Sequence, residues 1–276
     1  MKNKKIKVLI PTDFSVQSEF AYQMVKNLSQ QSDLEVTFLH VLNVPDTVTL
    51  NAQKEIETCG EIDVDYVRTQ YEMAWKKLED IERKNAGVRT DIVLGGTTSQ
   101  IVNYSESNNF DLIALGNKGT SGLAERIAGS EAQIVARNST VPVLTLMCDR
   151  SSFELNNLLL VHDFSENNEQ SLDLLKQFIA IFGTQLHLLQ IAQRGDDHDE
   201  IKQNMKAFGR NNQLESFEMH VLNDENVEEG VTHFNQMNDM DLVCIGTHGK
   251  GGLLYKSATE TLINHLYKPV ISFKIQ

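Results

Sequence analysis

The residues best placed to do chemistry are a set of glycines and the polar groups beside them. Gly116-Asn117-Lys118-Gly119 is followed, nine residues later, by Gly129-Ser130. Gly116 ends an apolar run, Gly119 permits a turn, and Gly129-Ser130 falls where a helical pattern begins. Exposed amides, a helix N-terminus and a serine hydroxyl together make an anion site. Glycine matters there because phosphate reaches the backbone only where no Cβ intrudes. Lys118 reads equally as a solvated loop lysine or a phosphate contact. Asp13 follows another apolar run, in Pro11-Thr12-Asp13, and its bland reading is a cap for a helix beginning near Ser15.

The elements that must position these residues alternate between strand and helix. Ile6 to Pro11 is a short apolar run closed by Pro-Thr-Asp, the pattern of a strand buried on both faces. Phe20, Ala21, Met24, Val25 and Leu28 then share one helical face. Strands are predicted over 35–41, 89–94, 112–116 and 143–147, with helices over 53–84, 99–107 and 130–138. The second part of the chain predicts strands over 157–161, 185–191 and 216–222, a helix carrying Leu172, Leu175, Phe178, Ile179 and Phe182, and a helix over 199–209. Such alternation gives parallel sheets with helices on both faces and right-handed crossovers. Ligands bind such sheets at the carboxyl ends of the strands, where Asp13, Val41 and Gly116 are expected.

The chain is one unit written twice. Val8-Leu-Ile-Pro-Thr-Asp-Phe-Ser15 returns as Leu158-Leu-Leu-Val-His-Asp-Phe-Ser165, and Asp111-Leu-Ile-Ala-Leu-Gly-Asn-Lys-Gly119 as Asp241-Leu-Val-Cys-Ile-Gly-Thr-His-Gly249. Val141-Pro-Val-Leu-Thr-Leu146 returns as Lys268-Pro-Val-Ile-Ser-Phe273. The polar stretch at 149–152 is the natural linker, which divides the chain into domains over 1–150 and 151–276.

This constellation resembles the universal stress protein family, whose signature is G-2x-G-9x-G-[S/T] between a strand and a helix, with a V-P-V-L strand beyond. The match stands at Gly116, Gly119, Gly129 and Ser130, with Val141-Pro-Val-Leu144 following and Asp13 closing the first strand. The resemblance implies two tandem α/β domains of five parallel strands, open-twisted and Rossmann-like, of the adenine nucleotide alpha hydrolase-like type. It implies ATP or AMP as ligand, with Mg2+ or Mn2+ on the phosphates. Asp13 would contact the adenosine, with Pro11 and the backbone of Thr12 and Val41 near the base. Gly116, Gly119, Gly129 and Ser130 would hold ribose and phosphates, with Lys118 beside them. Role and place follow the same resemblance: a stress-response protein of the cytoplasm, acting by binding or signalling rather than by rapid catalysis.

The second copy departs from the signature. Gly246-Thr-His-Gly249 is intact, but nine residues on stand Thr259-Glu260; alignment on Pro269 instead puts Lys256-Ser257 at the Gly-Ser position. Either way a Cβ occupies the closest approach, so nucleotide is expected in the first copy rather than the second. Val143 to Leu146 and Val270 to Phe273 are apolar potential edges, and their pairing would make an intramolecular pseudo-dimer. The long helix of the first copy offers a face for a homodimer.

Among the chain's 276 residues, acidic residues outnumber basic ones by 38 to 25, which disfavours a broad nucleic-acid face. No apolar run reaches the ~18–20 residues of a membrane span. Cys59, Cys148 and Cys244 are odd in number and widely spaced, which suits a reducing compartment, with Cys148 and Cys244 read as small buried hydrophobes. His248 lacks a catalytic partner, 196–200 reads as an acidic helix start, and Trp75 shares a helical seam with Tyr71 and Leu78. A slow ATP hydrolase and a nucleotide-free interaction protein are the competing classes. The first lacks a G-x-x-x-x-G-K-[S/T] loop and an evident general base.

Overall fold

The computed structural model describes residues 5–30, 33–51, 53, 55–117, 131–150, 152–164, 172–246 and 252–273. The described strands are β1 (Ile6–Pro11), β2 (Leu34–Leu42), β3 (Val48–Leu50), β4 (Ile56–Thr58), β5 (Arg89–Leu94), β6 (Leu112–Gly116), β7 (Val143–Leu146), β8 (Asn157–Val161), β9 (Gln185–Ala192), β10 (Glu218–Asn223), β11 (Leu242–Gly246) and β12 (Val270–Phe273). The helices are α1 (Val16–Ser29), α2 (Val64–Lys84), α3 (Thr97–Ser107), α4 (Glu131–Asn138), α5 (Asp173–Phe182), α6 (His198–Asn211), α7 (Val227–Met237) and α8 (Gly252–His265).

Ten strands form one sheet in the order β10-β9-β8-β11-β12-β7-β6-β1-β2-β5. Every pairing in it is parallel except β7 with β12, which is antiparallel through Val143↔Ser272, Leu144↔Ile271 and Thr145↔Val270. Two five-strand halves thus meet edge to edge, covering the two apolar edges that the sequence exposes. Residues such as Leu9 and Leu159 are fully buried because helices cover both sheet faces, which is why these strands read as unbroken apolar runs.

The pleat feeds two core layers. Leu144 and Ile271 join one layer with Met24 of α1, Leu78 of α2, Phe178 of α5 and Met205 of α6. Val143 and Val270 join the other with Ile101 of α3, Val135 of α4, Val231 of α7 and Leu262 of α8. Both layers run through the joint. Tyr71 and Trp75 stack at 6.3 Å and pack partly buried against the first layer, so the seam read on α2 is core.

One helix begins later than expected. Residues 55–63 do not continue α2 upstream: β3 and β4 form a two-stranded antiparallel hairpin, pairing Val48 with Thr58 and Leu50 with Ile56. The Asn51 side-chain oxygen accepts the amides of Gln53 and Glu55, closing the turn. The Asp63 carboxylate then accepts Tyr66 N–H and starts α2 at Val64. In the second half α8 opens at Gly252, upstream of the helix start expected at Ser257. The acidic run acts as read: Asp197 caps α6 by accepting from the amides of Asp199 and Glu200. Cys244 is buried, its thiol pushed up to about 12 by desolvation, whereas Cys148 is only half-buried and so departs from its expected burial.

Polar bonds supplement the strand joint. Asn117, buried just beyond β6, donates to Ile263 O at 3.0 Å and to Asn264 Oδ1 at 2.8 Å. Ile263 O is one of the last carbonyls of α8, which have no partner inside the helix. Gln133 donates to Glu260 O at 2.6 Å, and Arg137 pairs with the Glu260 carboxylate on the surface. Asn117→Ala should lower stability to urea unfolding by about 1–3 kcal/mol, because it removes the side-chain donor to the buried Ile263 carbonyl of α8.

Candidate functional site

The first half follows the order β5-β2-β1-β6-β7, so the chain reverses direction across the sheet between β1 and β6. Crossovers diverge at such a point and leave a crevice at the strands' carboxyl ends. A cleft of about 460 Å³ lies there. Pro11, Thr12 and Asp13 from the end of β1, Leu39, His40 and Val41 from β2, and Leu115, Gly116 and Asn117 at β6 line it. Ser15 with Gln17 and Ser18 of α1, Thr97 and Ile101 of α3, and Glu131 and Ala132 of α4 complete the described wall. The structure therefore brings together Pro11, Thr12, Asp13, Val41 and Gly116 of the sequence-selected set. Lys118, Gly119, Gly129 and Ser130 lie outside the described residues, as does His248.

The turn from β1 into α1 is built from side chains. Phe14 sits at φ 64°, a left-handed backbone uncommon outside glycine. Its N–H donates to Thr12 Oγ1 at 2.9 Å, and the Ser15 N–H donates to Asp13 Oδ1 at 2.9 Å. Ser18 Oγ donates to Ser15 O at 2.8 Å, which leaves Thr12 Oγ1 as donor to Ser18 Oγ at 3.0 Å. Ser15 occupies the N-cap position of α1, but its own side chain makes no capping bond. The Thr12–Ser18 chain and the Asp13 carboxylate hold the start of the helix instead. Thr12 N–H donates to Leu39 O, and His40 Nδ1 donates to Thr12 O at 2.8 Å. The Thr12 amide is thus committed to the sheet, and what it offers the cleft is the second lone pair of its carbonyl.

His40 had no sequence signal beyond its place next to Val41. Its ring lies 4.6 Å from that of Phe14, whose ring is also 4.7 Å from the Lys77 ammonium. Burial holds the His40 imidazole below its ordinary value, and Lys77 adds to this against the Thr12 carbonyl and Asp13. Ser18, Gln17, Thr97 and Glu131 were missed for the same reason: each belongs to the site only through tertiary packing.

Gly116 also has a packing requirement that the sequence did not show. A Cβ on it would stand 1.9 Å from Gln17 O and 2.2 Å from Gln17 C. The missing side chain admits the backbone of α1. Close packing of the helix on the strand end is what shapes this wall of the cleft.

The second half repeats the turn with different chemistry. Phe164 is again left-handed, at φ 48°. Here His162 stands where Thr12 stood, and its Nδ1 accepts Phe164 N–H at 2.7 Å. The His162 ring is buried, stacked on Phe208 at 5.4 Å, and burial holds its pKa below the ordinary value. Ser165, Gly249 and the side chains of Lys256 and Ser257 lie outside the described residues.

The model of the universal stress protein family matches residues 6–146, from the start of β1 to the end of β7. The chain belongs to the universal stress protein family. Universal stress protein MJ0531 of Methanocaldococcus jannaschii is 30% identical over 141 residues, covering 51% of this chain and 81% of that protein. Universal stress protein YxiE of Bacillus subtilis is 30% identical over 143 residues, covering 50% of this chain and 96% of its own. A universal stress protein from Archaeoglobus fulgidus, solved by crystallography, superposes with a TM-score of 0.72 at 22% identity, covering 98% of this chain and 96% of that one. That likeness shows the α/β fold of the whole chain, both halves included. No helix among the described residues is long and apolar enough to cross a membrane.

Two outcomes follow for this family member's cleft. Gly116→Ala should cost about 3 kcal/mol in urea unfolding, since a backbone carbonyl rather than a flexible side chain occupies the space. The second concerns acid. A histidine whose folded pKa lies below its unfolded value of 6.5 stabilises fully above 6.5, and that stability is lost as pH falls through 6.5 toward the folded value. His40→Gln, which keeps a donor for Thr12 O, should therefore lose less stability between pH 7 and pH 5 than the parent chain in urea titrations.

Proposed function

We propose that the cleft of the first half binds an adenine nucleotide, ATP or AMP, and that the protein acts in stress response through this binding. The carrying observation is the crevice at the β1–β6 reversal, whose volume falls within the ~300–1,000 Å³ of small-molecule sites. Its walls divide as a nucleoside requires. Val41, Leu39, Ile101 and Leu115 give an apolar slot for a base, while Asp13, Thr12 and Thr97 give acceptors and hydroxyls for a ribose. Family membership and the complete spacing from Gly116 to Ser130 support the phosphate end, which Gly119, Gly129, Ser130 and Lys118 would form.

A divalent cation fits the donor set. Asp13 and Glu131 both line the cleft, and carboxylate oxygens suit hard ions such as Mg2+ or Mn2+. Bound beside phosphates, such a cation would offset their charge against these carboxylates.

Calorimetry with ATP and AMP tests the reading. The full-length chain should bind one nucleotide, Asp13→Ala should weaken binding at least tenfold, and Gly129→Val should abolish it while thermal unfolding stays cooperative. Failure of the parent chain to bind either nucleotide at millimolar concentration would overturn the proposal. ATP turnover faster than about 1 s⁻¹ would overturn the binding role in favour of catalysis.

A further inference from the structure

The second half carries a cluster that the nucleotide site does not use. His187 on β9 pairs in register with Glu218 on β10, and His220 lies two residues further along β10. Side chains two apart on a strand share a face. The register thus places Glu218 and His220 on one face with His187, at the sheet edge formed by β10.

Three ligand atoms converge. His187 Nδ1 lies 3.0 Å from His220 Nε2, Glu218 Oε2 is 3.6 Å from His187 Nδ1, and the same oxygen is 3.7 Å from His220 Nε2. The circumradius of this triangle is about 2.0 Å, so a zinc ion at the ~2.1 Å usual for imidazole nitrogen and carboxylate oxygen would stand just out of the plane of the three atoms, toward a fourth ligand. The edges scatter about the ~3.4 Å of a zinc tetrahedron rather than the ~2.9–3.0 Å between neighbouring octahedral ligands.

The surroundings match what a metal-bound imidazole needs. His187 Nε2 lies 3.4 Å from Asn157 Oδ1, an oxygen that can only accept. The proton of His187 is therefore on Nε2, and the Nδ1 lone pair faces the cluster. Such a partner on the far nitrogen fixes ring and tautomer at metal sites. Phe234 of α7 packs edge-on to His220 at 4.8 Å, giving the site an apolar wall, while the Glu218 side chain is 58% exposed. One side is open.

The fold does not require these residues. Register maps His187 onto Thr37, Glu218 onto Arg89 and His220 onto Asp91 of the first half. There Arg89 pairs with Glu35, and Asp91 accepts from the Tyr104 hydroxyl. The same sheet edge thus forms without imidazoles.

We infer that His187, His220 and Glu218 form a zinc site that ties edge strand β10 to β9 and leaves a fourth coordination position for water. Two imidazoles and one carboxylate with an open position is a donor set that zinc accepts. The metal-free pair shares one hydrogen bond, with His220 Nε2–H donating to His187 Nδ1. Zinc replaces that bond, and the His220 proton moves to Nδ1.

The full-length chain, stripped with chelator, is titrated with zinc against a chromophoric indicator. We expect one zinc per chain in the micromolar range or tighter, weakened at least tenfold in both Glu218→Gln and His220→Asn. Glu218 is exposed, so its variant keeps the fold, and zinc should raise the melting temperature of the parent but not of that variant. Cobalt substituted for zinc should give the intense visible bands of a four-coordinate ion. No stoichiometric zinc, binding unchanged in both variants, or the faint bands of six-coordinate cobalt would each overturn the assignment. Nucleotide affinity is not read in this experiment, so its outcome is independent of the proposed cleft.

Discussion

An open parallel sheet has two edges, and the helices that cover its faces leave those edges bare. In this chain the inner edges, β7 and β12, are short and wholly apolar on the side of Leu144 and Ile271, so each would be exposed in an isolated half. Their antiparallel pairing removes both edges at once. It also makes the two core layers continuous, since alternate residues of β7 and β12 belong to opposite layers. The position of α4 against α8, and hence the Asn117, Gln133 and Arg137 bonds, follows from that joint. Asn117 belongs to the cleft wall and to the joint together, so the first half's cleft is braced by the second half's last helix.

Within each half, the turn after the first strand carries the next constraint. Phe14 and Phe164 both adopt a left-handed backbone, at a cost of order 1–3 kcal/mol each, and both are held by a side chain two residues earlier. What differs is that side chain. Thr12 is small and lines the cleft beside His40 and Val41; His162 is larger, buried, and stacks on Phe208. A shared backbone solution thus leaves one half with an open crevice wall and gives the other a packed aromatic cluster.

Legibility in the sequence followed the range of the interaction. Ile6–Pro11 could be read because burial on both faces leaves an unbroken apolar run, and the positions of Asp13 and Gly116 because those strand ends are marked by Pro, Asp and Gly. The β3–β4 hairpin could not be read. Its residues are polar enough to suit a helix, and only the Asn51 side chain, bonding two nearby amides, shows the turn. His40 joins the cleft through a bond to Thr12 O on the neighbouring strand, which a linear pattern does not encode. The packing demand on Gly116 could not be read either: its neighbour is the Gln17 carbonyl, a contact between elements distant in the chain's local pattern.

The repeat supplies an internal reference that separates what the fold demands from what one half adds. Wherever both halves hold the same feature (the left-handed turn, the strand order, the two helical layers), scaffold physics is sufficient to account for it. Where they differ at matched register, the scaffold has been satisfied in two ways and the difference is open to function. Thr37, Arg89 and Asp91 meet the edge with an ion pair and a tyrosine hydrogen bond; His187, Glu218 and His220 meet it with three ligand atoms facing one point. Two imidazoles sharing one proton beside a carboxylate add less to folding than a well-packed apolar pair would, because polar groups at a half-buried edge roughly exchange protein partners for water. Their convergence is therefore better explained by an ion that they hold together than by the sheet that they share.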